Sequence, residues 1–336
     1  MASITEVARR AGVAPSIVSR LLNQDPTLRI RPQTRARITQ AVEELGYTPN
    51  HAGRALRLAR THAIGLLIPE VTNPIFTGIV RGAERAASQA GYFVLLGNAD
   101  DIRQREGSYT QLVAQGRIDG ILLQRSNAID DETLARIAAT RVPTITINSR
   151  AEGRQGSVVF DDEAGTRLAT EHLIALGHRD IGHFSGPAAT DTARRRLQGF
   201  AAALGAAGLA RRAEWLIEAR YDEEGGHDAM ARLLAQASLP TAVVVANVMA
   251  AVGALTAARR AGVAVPEQLS IVAFHDTWFA EHTSPPLTAV AMPVDDLGRE
   301  AVGLLIECIK GAPPRDVVVR EPPPVLVERA STSAPP

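Results

Sequence analysis

A single cysteine, Cys308, stands in this chain of 336 residues, so no internal disulfide framework is possible. Its ordinary place is that of a small buried hydrophobe. Lys310 is the only lysine, so nearly all the positive charge is arginine. No stretch approaches eighteen uninterrupted apolar residues, and the N-terminus has no basic-then-apolar signal pattern. The motifs of the common doubly wound enzymes are missing too. There is no GxxxxGK loop for phosphate, no GxGxxG after a strand, no HExxH pair and no GxSxG elbow. His172, His178 and His183 fall across a predicted helix, turn and strand, a spacing that does not gather them as metal ligands; they read as helix-end or core histidines. Asp161, Asp162 and Glu163 stand at a strand end, where they are expected to cap the next helix rather than perform acid/base work. These absences leave no metal, no cofactor and no catalytic set to expect. They point to a non-enzymatic chain without a membrane span, working in the cytoplasm.

What is present is asymmetric. An apolar content of 46% over this length allows a large core and two or three domains. The formal net charge of zero conceals ten arginines against four acids (Glu6, Asp25, Glu43, Glu44) in residues 1–60. The remainder carries 26 basic and 32 acidic residues. A basic head on an acidic body suits a protein of which only the head should approach phosphate.

The head has its own grammar. Ser3 followed by Glu6 is a capping box, and Ile4, Val7, Ala8 and Ala11 recur at helical spacing behind it. Gly12 stops that helix and Pro15 opens a second. There Ile17, Val18, Leu21 and Leu22 face one way, while Pro15, Ser16, Ser19 and Arg20 share the other. Two short helices joined by a glycine turn, the second presenting a small polar face with one arginine, predict a helix-turn-helix; an ordinary helical hairpin is the plainer alternative. Pro32 opens a third helix whose Ile38, Ala41, Val42 and Leu45 can close over the first two, and Gly46 ends it.

From Ala63 the pattern changes to apolar runs alternating with amphipathic segments. IGLLIP, YFVLLGNA, GILLQ and TITIN read as buried strands, with helices beginning near Pro74, Arg103 and Asp130. VVFD, DIGHFSG, AVVVAN and LSIVAF form a second series, with helices near Ala164, Ala193, Gly226 and Met249. Such alternation predicts an α/β body of doubly wound parallel sheets in two lobes. TAVAMP, a helix from Val294 to Lys310 and VVVRE close the chain, and Ala330 to Pro336 reads as a disordered tail.

GVAPSIVSRLLN, then TRARITQAVEELGYTPN, then HAGRALR resemble the DNA-binding headpiece of the lactose-repressor/galactose-repressor family of bacterial transcription regulators. The order of the later motifs extends the resemblance over nearly the whole chain. It implies a headpiece at 1–49, a hinge helix at 50–60, a two-lobed periplasmic-binding-protein-like core at 61–330, and a tail at 331–336. The first lobe would comprise about 61–157 and 288–320, the second about 158–287 and 321–330. The resemblance also implies that the hinge orders on operator DNA, with Leu56 wedged into the minor groove. Gly53, about 1 kcal/mol worse than Ala within a helix, fits a hinge that is unformed without DNA. Candidate DNA contacts are Ser3, Thr5, Pro15, Ser16, Ser19, Arg20 and Asn23 in the headpiece, and Asn50, Ala52 and Leu56 in the hinge.

Small ligands of two-lobed α/β proteins bind at the carboxyl ends of the strands. The residues expected there are Asn73, Phe76, Gln124, Asn148 and Arg150 from the first lobe. The second supplies Phe160, Thr190, Thr192, Arg196, Tyr221, Asn247 and His275. The resemblance singles out Arg196 of the RLQGF motif, Asn247 of the AN pair and Tyr221 as an aromatic wall. Two positions depart from the family, Val248 and His275, each standing where an aspartate is common. Ala14 also replaces the usual serine cap before Pro15. With carboxylates gone and guanidiniums kept, an anionic effector is expected, with His275 as a proton-dependent contact; Asp191 or Asp276 supplying the missing carboxylate is the alternative. The implied whole is a homodimeric repressor of a catabolic operon, binding double-stranded, pseudo-palindromic operator DNA under control of a small-molecule effector. A small-molecule sensor whose head binds a protein partner is the alternative from another class.

Overall fold

The computed structural model describes residues 2–22, 25, 27–47, 60–99, 116–125, 129, 132, 137, 139, 140, 142–150 and 155–336. The chain divides into two compact units, Met1–Thr61 and His62–Pro336.

The first unit holds α1 (Ile4–Ala11), α2 (Pro15–Leu22) and α3 (Pro32–Glu44). The capping box is closed in both directions: Ser3 N–H donates to Glu6 Oε2 at 2.7 Å, and Glu6 N–H donates to Ser3 Oγ at 3.2 Å. Gly12 takes the left-handed conformation at φ 65° and ends α1. Val7, Val18 and Ile38, one from each helix, are fully buried against one another's cluster. Leu45, expected in that core, is instead exposed, because α3 ends at Glu44 and Leu45 is already its C-terminal cap.

The second unit contains two six-stranded sheets. In the first the order is β11 (Asp316–Val319), β5 (Gly156–Phe160), β4 (Thr144–Ile147), β3 (Gly120–Gln124), β1 (Ala63–Ile68), β2 (Phe93–Asn98). In the second it is β12 (Val325–Val327), β10 (Thr288–Ala291), β9 (Ser270–Phe274), β8 (Ala242–Val245), β6 (Ile181–Ser185), β7 (Leu216–Glu218). All pairings are parallel except β10 with β12. Strands β3, β4, β5, β8 and β9 are buried at every position, which explains their unbroken apolar runs. Of the helices, α4 (Ile75–Gln89) and α9 (Val294–Ile309) pack together on the first sheet, so closely that a Cβ on Gly82 would lie 1.9 Å from the Asp295 carbonyl oxygen. The second sheet carries α5 (Asp162–Ala175), α6 (Asp191–Ala206), α7 (Glu223–Leu234) and α8 (Val248–Arg260).

Four expectations are corrected. Strand β5 belongs to the first sheet, beside β4 and β11, so the first passage between lobes follows Phe160 rather than Ser157. Strand β10 belongs to the second sheet, so the return comes after Ala291 and not at Leu287. An apolar run pairs with whichever strand its register fits, and nothing in its composition says which sheet that is. Strand β2 is an edge strand with an exposed surface, Phe93 being 69% accessible, and not a buried one. The tail is ordered: Ser331 is fully buried, Ile271 N–H donates to its carbonyl, and its hydroxyl donates to the Ile271 carbonyl at 2.6 Å. A Ser/Pro-rich composition marks a segment unable to build a core, yet its hydroxyls and carbonyls can still extend an existing sheet.

Candidate functional site

In the head, Pro15, Ser16 and Arg20 lie exposed on α2, Ser19 is half-buried between them, and Thr5 is exposed in the first turn of α1. Ser3 is occupied as the cap. Arg20 is held from the following loop: its Nε donates to Asp25 Oδ2 at 2.7 Å and its NH2 to Thr27 Oγ1 at 2.9 Å. Hydrogen bonds from Thr27, then from Arg20, draw the Asp25 carboxyl down to about 2. Asn23, Asn50, Ala52, Gly53 and Leu56, and the helix starts expected near Arg103 and Asp130, lie outside the described residues.

In the body, the carboxyl ends of the two sheets face each other, and α6 ties them. Thr192 Oγ donates to the Asn148 carbonyl at 3.0 Å, and the Arg150 N–H donates to Asp191 Oδ2 at 3.0 Å. Arg195 NH1 reaches the Phe160 carbonyl at 3.0 Å. The centre is Asp162, fully buried, which accepts from Arg195 NH1 and, at 2.8 Å, from Arg196 Nε. Arg195 Nε also donates to Asp191 at 2.9 Å. Burial opposes the charge on Arg195, but Asp162 and Asp191 overcome it and raise its pKa. Arg196 is committed on all three nitrogens: Nε to Asp162, NH1 to the Ala246 carbonyl, and NH2 to His275 Nε2 at 3.4 Å. Its guanidinium lies 4.0 Å from the Phe274 ring centroid.

His275 accepts from that guanidinium, so it is the neutral tautomer with its proton on Nδ1. Burial first, and the Arg196 charge second, hold its pKa well below the ordinary imidazole range. The expected proton-dependent contact is therefore corrected: His275 gains no proton near neutral pH. The expected electropositive pocket is corrected as well, since two carboxylates, Asp162 and Asp191, face the two buried guanidiniums. Asp276 takes no part in this; it forms a two-bond pair with Arg329 at 2.8 and 3.1 Å.

The remaining candidates divide by what they touch. Phe76 and Phe160 are core side chains. Asn73 accepts from Ile75 N–H at 3.3 Å at the start of α4. Thr190 caps α6, and its hydroxyl lies 3.4 Å from that of Tyr221, whose phenol burial pushes up in pKa. Asn247 caps α8 through Oδ1 and donates from Nδ2 to the Tyr221 carbonyl at 2.9 Å, so it positions the aromatic wall. Gln124 and Asn148 behave differently, since each buries a side-chain oxygen, Oε1 and Oδ1 respectively, that has no partner among the described residues. Arg195 NH2 is likewise buried and unpartnered. Asn148 and His275, the residues just past β4 and β9, both adopt positive φ, 51° and 69°, a strained conformation that recurs at binding sites. Arg150 is exposed at the rim.

Sequence reasoning missed Asp162 and Arg195. A signal was there: Arg194–Arg195–Arg196 puts successive guanidiniums on a helix with a buried face, and these need buried carboxylates. Asp161 alone caps α5, accepting from Ala164 N–H at 3.1 Å, which left Asp162 free for them. Among the described residues no group of His, Cys, Asp and Glu could hold a metal ion, and no helix is long and apolar enough to cross a membrane.

Comparison with known proteins matches residues 3–50 to the model "Bacterial regulatory proteins, lacI family" and residues 170–332 to "Periplasmic binding protein-like domain". The chain is 30% identical over 334 residues to the HTH-type transcriptional repressor PurR of Pasteurella multocida (strain Pm70), covering 99% of each. It is 33% identical over 332 residues to the ribose operon repressor of Escherichia coli (strain K12), covering 98% of this chain and all of that one. The lac repressor dimer bound to operator and the anti-inducer ONPF is similar in structure, with a TM-score of 0.82 at 27% identity and 99% coverage of both chains.

Proposed function

The chain belongs to the lacI family of bacterial regulatory proteins, and from that premise we propose that it is a cytoplasmic repressor of a catabolic operon, binding a pseudo-palindromic operator as a homodimer and answering to a small molecule held between its two lobes. Its relatives are transcriptional repressors, and it is a DNA-binding regulator rather than an enzyme. The observation that carries the effector part is a set of buried polar atoms unpartnered among the described residues: Gln124 Oε1 and Asn148 Oδ1, acceptors at the ends of β3 and β4, and Arg195 NH2, a donor on α6. Buried polar atoms without partners are costly, and a hydroxylated ligand would satisfy all three. Paired guanidiniums favour an uncharged ligand, a sugar or sugar derivative, over an anion.

The dimer is supported by the exposed apolar edge of the first sheet, where Phe93, Leu95 and Leu96 crowd one strand. A twofold pair of heads matches a pseudo-palindrome. Occupancy of the crevice would change lobe closure through the Thr192–Asn148 and Arg150–Asp191 contacts and so the operator affinity.

The test is fluorescence anisotropy with a DNA fragment spanning the region upstream of the protein's own gene, titrated across salt with and without a panel of neutral and acidic sugars. Binding that falls steeply with salt and responds to a neutral sugar is expected. Salt-independent capture of protein partners, with no affinity for the fragment, would favour the sensor alternative.

A further inference from the structure

The loop after α2 does something the helix alone cannot. Asp25 Oδ1 accepts twice from Thr27, from its N–H at 2.8 Å and from its hydroxyl at 2.7 Å, which closes a tight turn. That leaves Oδ2 for Arg20 Nε, while the Thr27 hydroxyl accepts from Arg20 NH2. The backbone joins in, Asp25 N–H donating to the Arg20 carbonyl at 3.0 Å. Arg20, Asp25 and Thr27 thus form a closed ring of hydrogen bonds on the exposed side of α2, with 47% of the Arg20 side chain accessible. The ring uses Nε and one N–H of NH2. The donors it leaves are those on NH1 and the second on NH2, the end of the guanidinium fork that matches O6 and N7 of guanine.

We propose that Asp25 and Thr27 are positioning residues for DNA recognition: they hold the Arg20 guanidinium end-on, so that α2 meets DNA with its base-reading group already oriented. This rests on α2 being the base-reading helix. An unheld arginine carries much rotamer freedom, lost on binding, and can turn to any nearby phosphate, which yields affinity without sequence information. A held one cannot reach phosphate as freely. Asp25 also places a negative charge on the surface that approaches the DNA backbone, which disfavours contacts that do not engage a base. The ring therefore trades non-specific affinity for discrimination, and its removal should move the two in opposite directions. A merely structural loop would lower both together.

The experiment uses the full chain and duplexes selected by it from a library with randomised half-sites, beside a random duplex at the same salt. Arg20→Ala should abolish the preference at one base pair per half-site. Asp25→Asn keeps a carbonyl for the Thr27 N–H, and so the turn, but presents an amide donor where Arg20 needs an acceptor. Asp25→Asn and Thr27→Val should each lower discrimination at the Arg20 base pair about tenfold. In Asp25→Asn, binding to the random duplex should rise. Retained discrimination in both loop variants, with Arg20→Ala losing it, would overturn the positioning role alone. Equal losses on selected and random DNA would assign the loop a structural role and overturn it too. If Arg20→Ala leaves the selected base unchanged, the assignment of α2 as the base-reading helix falls, and the positioning role with it.

Discussion

Arg20 in the head and Arg196 in the body are each bound through Nε to an aspartate, at 2.7 and 2.8 Å. Arg20 is 47% accessible and its Asp25 partner 28%; Arg196 is 2% accessible and Asp162 not at all. The same pair does different things in the two places. In water the Coulomb gain is small and reversible, so the Arg20 guanidinium can be held by Asp25 and still be offered to another partner. Away from water neither charge can be left alone, so Asp162 and its two guanidiniums are obliged to stay together and fix α6 against the start of α5. A solvent-exposed pair suits a surface that must hold a guanidinium and still offer its remaining donors to DNA. An obligate one suits a fixed contact between α5 and α6.

Removing Asp162 should separate the two cases most widely. Asp162→Ala leaves Arg195 and Arg196 buried with their shared counter-charge gone, and breaking a buried pair from one side costs about 3–5 kcal/mol. Asp25→Ala, which removes a solvent-exposed and screened pair, should change stability far less. Urea unfolding followed through Trp215, which is buried in the second lobe, measures the first. A loss below about 1 kcal/mol in Asp162→Ala would erase the distinction between the regions.

The pH dependence sharpens it further. His183 and His275 are buried in the body, and both have depressed pKa values. Burial, aided by the Arg196 charge and opposed by the bond to the Val244 carbonyl, brings His183 to about 4. Above an unfolded imidazole value near about 6.5 both states are neutral and no stability is linked to these groups. As pH falls below that value the unfolded chain takes protons that the fold refuses, so stability drops until the folded pKa is reached. Between about 6.5 and about 4 His183 alone should remove about 3 kcal/mol, an upper figure because partial opening would relieve it. His275 adds to the loss in the same direction. In the head the displaced group is Asp25, a carboxyl depressed to about 2, whose linked stability is present above its ordinary value and lost only as pH falls from there toward about 2. Amide hydrogen exchange across pH should therefore show the body loosening well before the head. Replacing His183 by Gln should flatten the body's slope, and an unchanged slope would mean that the imidazole is not the source.

Much of this was legible in the residues. Ser3, Glu6 and Gly12 announce α1 because caps and left-handed turns have few chemical solutions, and the unbroken apolar runs announce buried parallel strands. The lobe membership of GSVVF and TAVA was not legible, because a strand's partner is chosen by register across the fold and leaves no local mark. The crevice was legible by position but not by commitment. Gln124 and Asn148 fell at strand ends as expected, whereas Arg196 proved fully engaged by Asp162, Ala246 and His275. Composition misled at the tail, where Ser331, Thr332 and Ser333 bond β9 and β10 of the second lobe, and Thr332 also bonds His172 on α5.

Two serines reduce the comparison to a single hydroxyl. Ser3 Oγ accepts one N–H at the exposed start of α1; Ser331 Oγ, fully buried, accepts the Thr288 N–H at 2.8 Å and donates to the Ile271 carbonyl. When Ser3 becomes Ala, water can reach the freed Glu6 N–H, so only the difference between a cap and a solvent contact is lost, about 1 kcal/mol. When Ser331 becomes Ala, a buried donor and a buried acceptor lose their partner with no water to replace it, and about 1–3 kcal/mol should be lost. The larger loss should appear in the global unfolding of the body, the smaller as faster exchange of the first-turn amides of α1. Local detachment of residues 331–336 offers a way to avoid the full loss. If it is taken, His178 loses the Ser333 carbonyl that its Nε2 bonds at 2.9 Å, and its imidazole chemical shifts should move with it. A Ser331→Ala protein with both unfolding and the His178 resonances unchanged would show that the docked tail contributes nothing to the lobe.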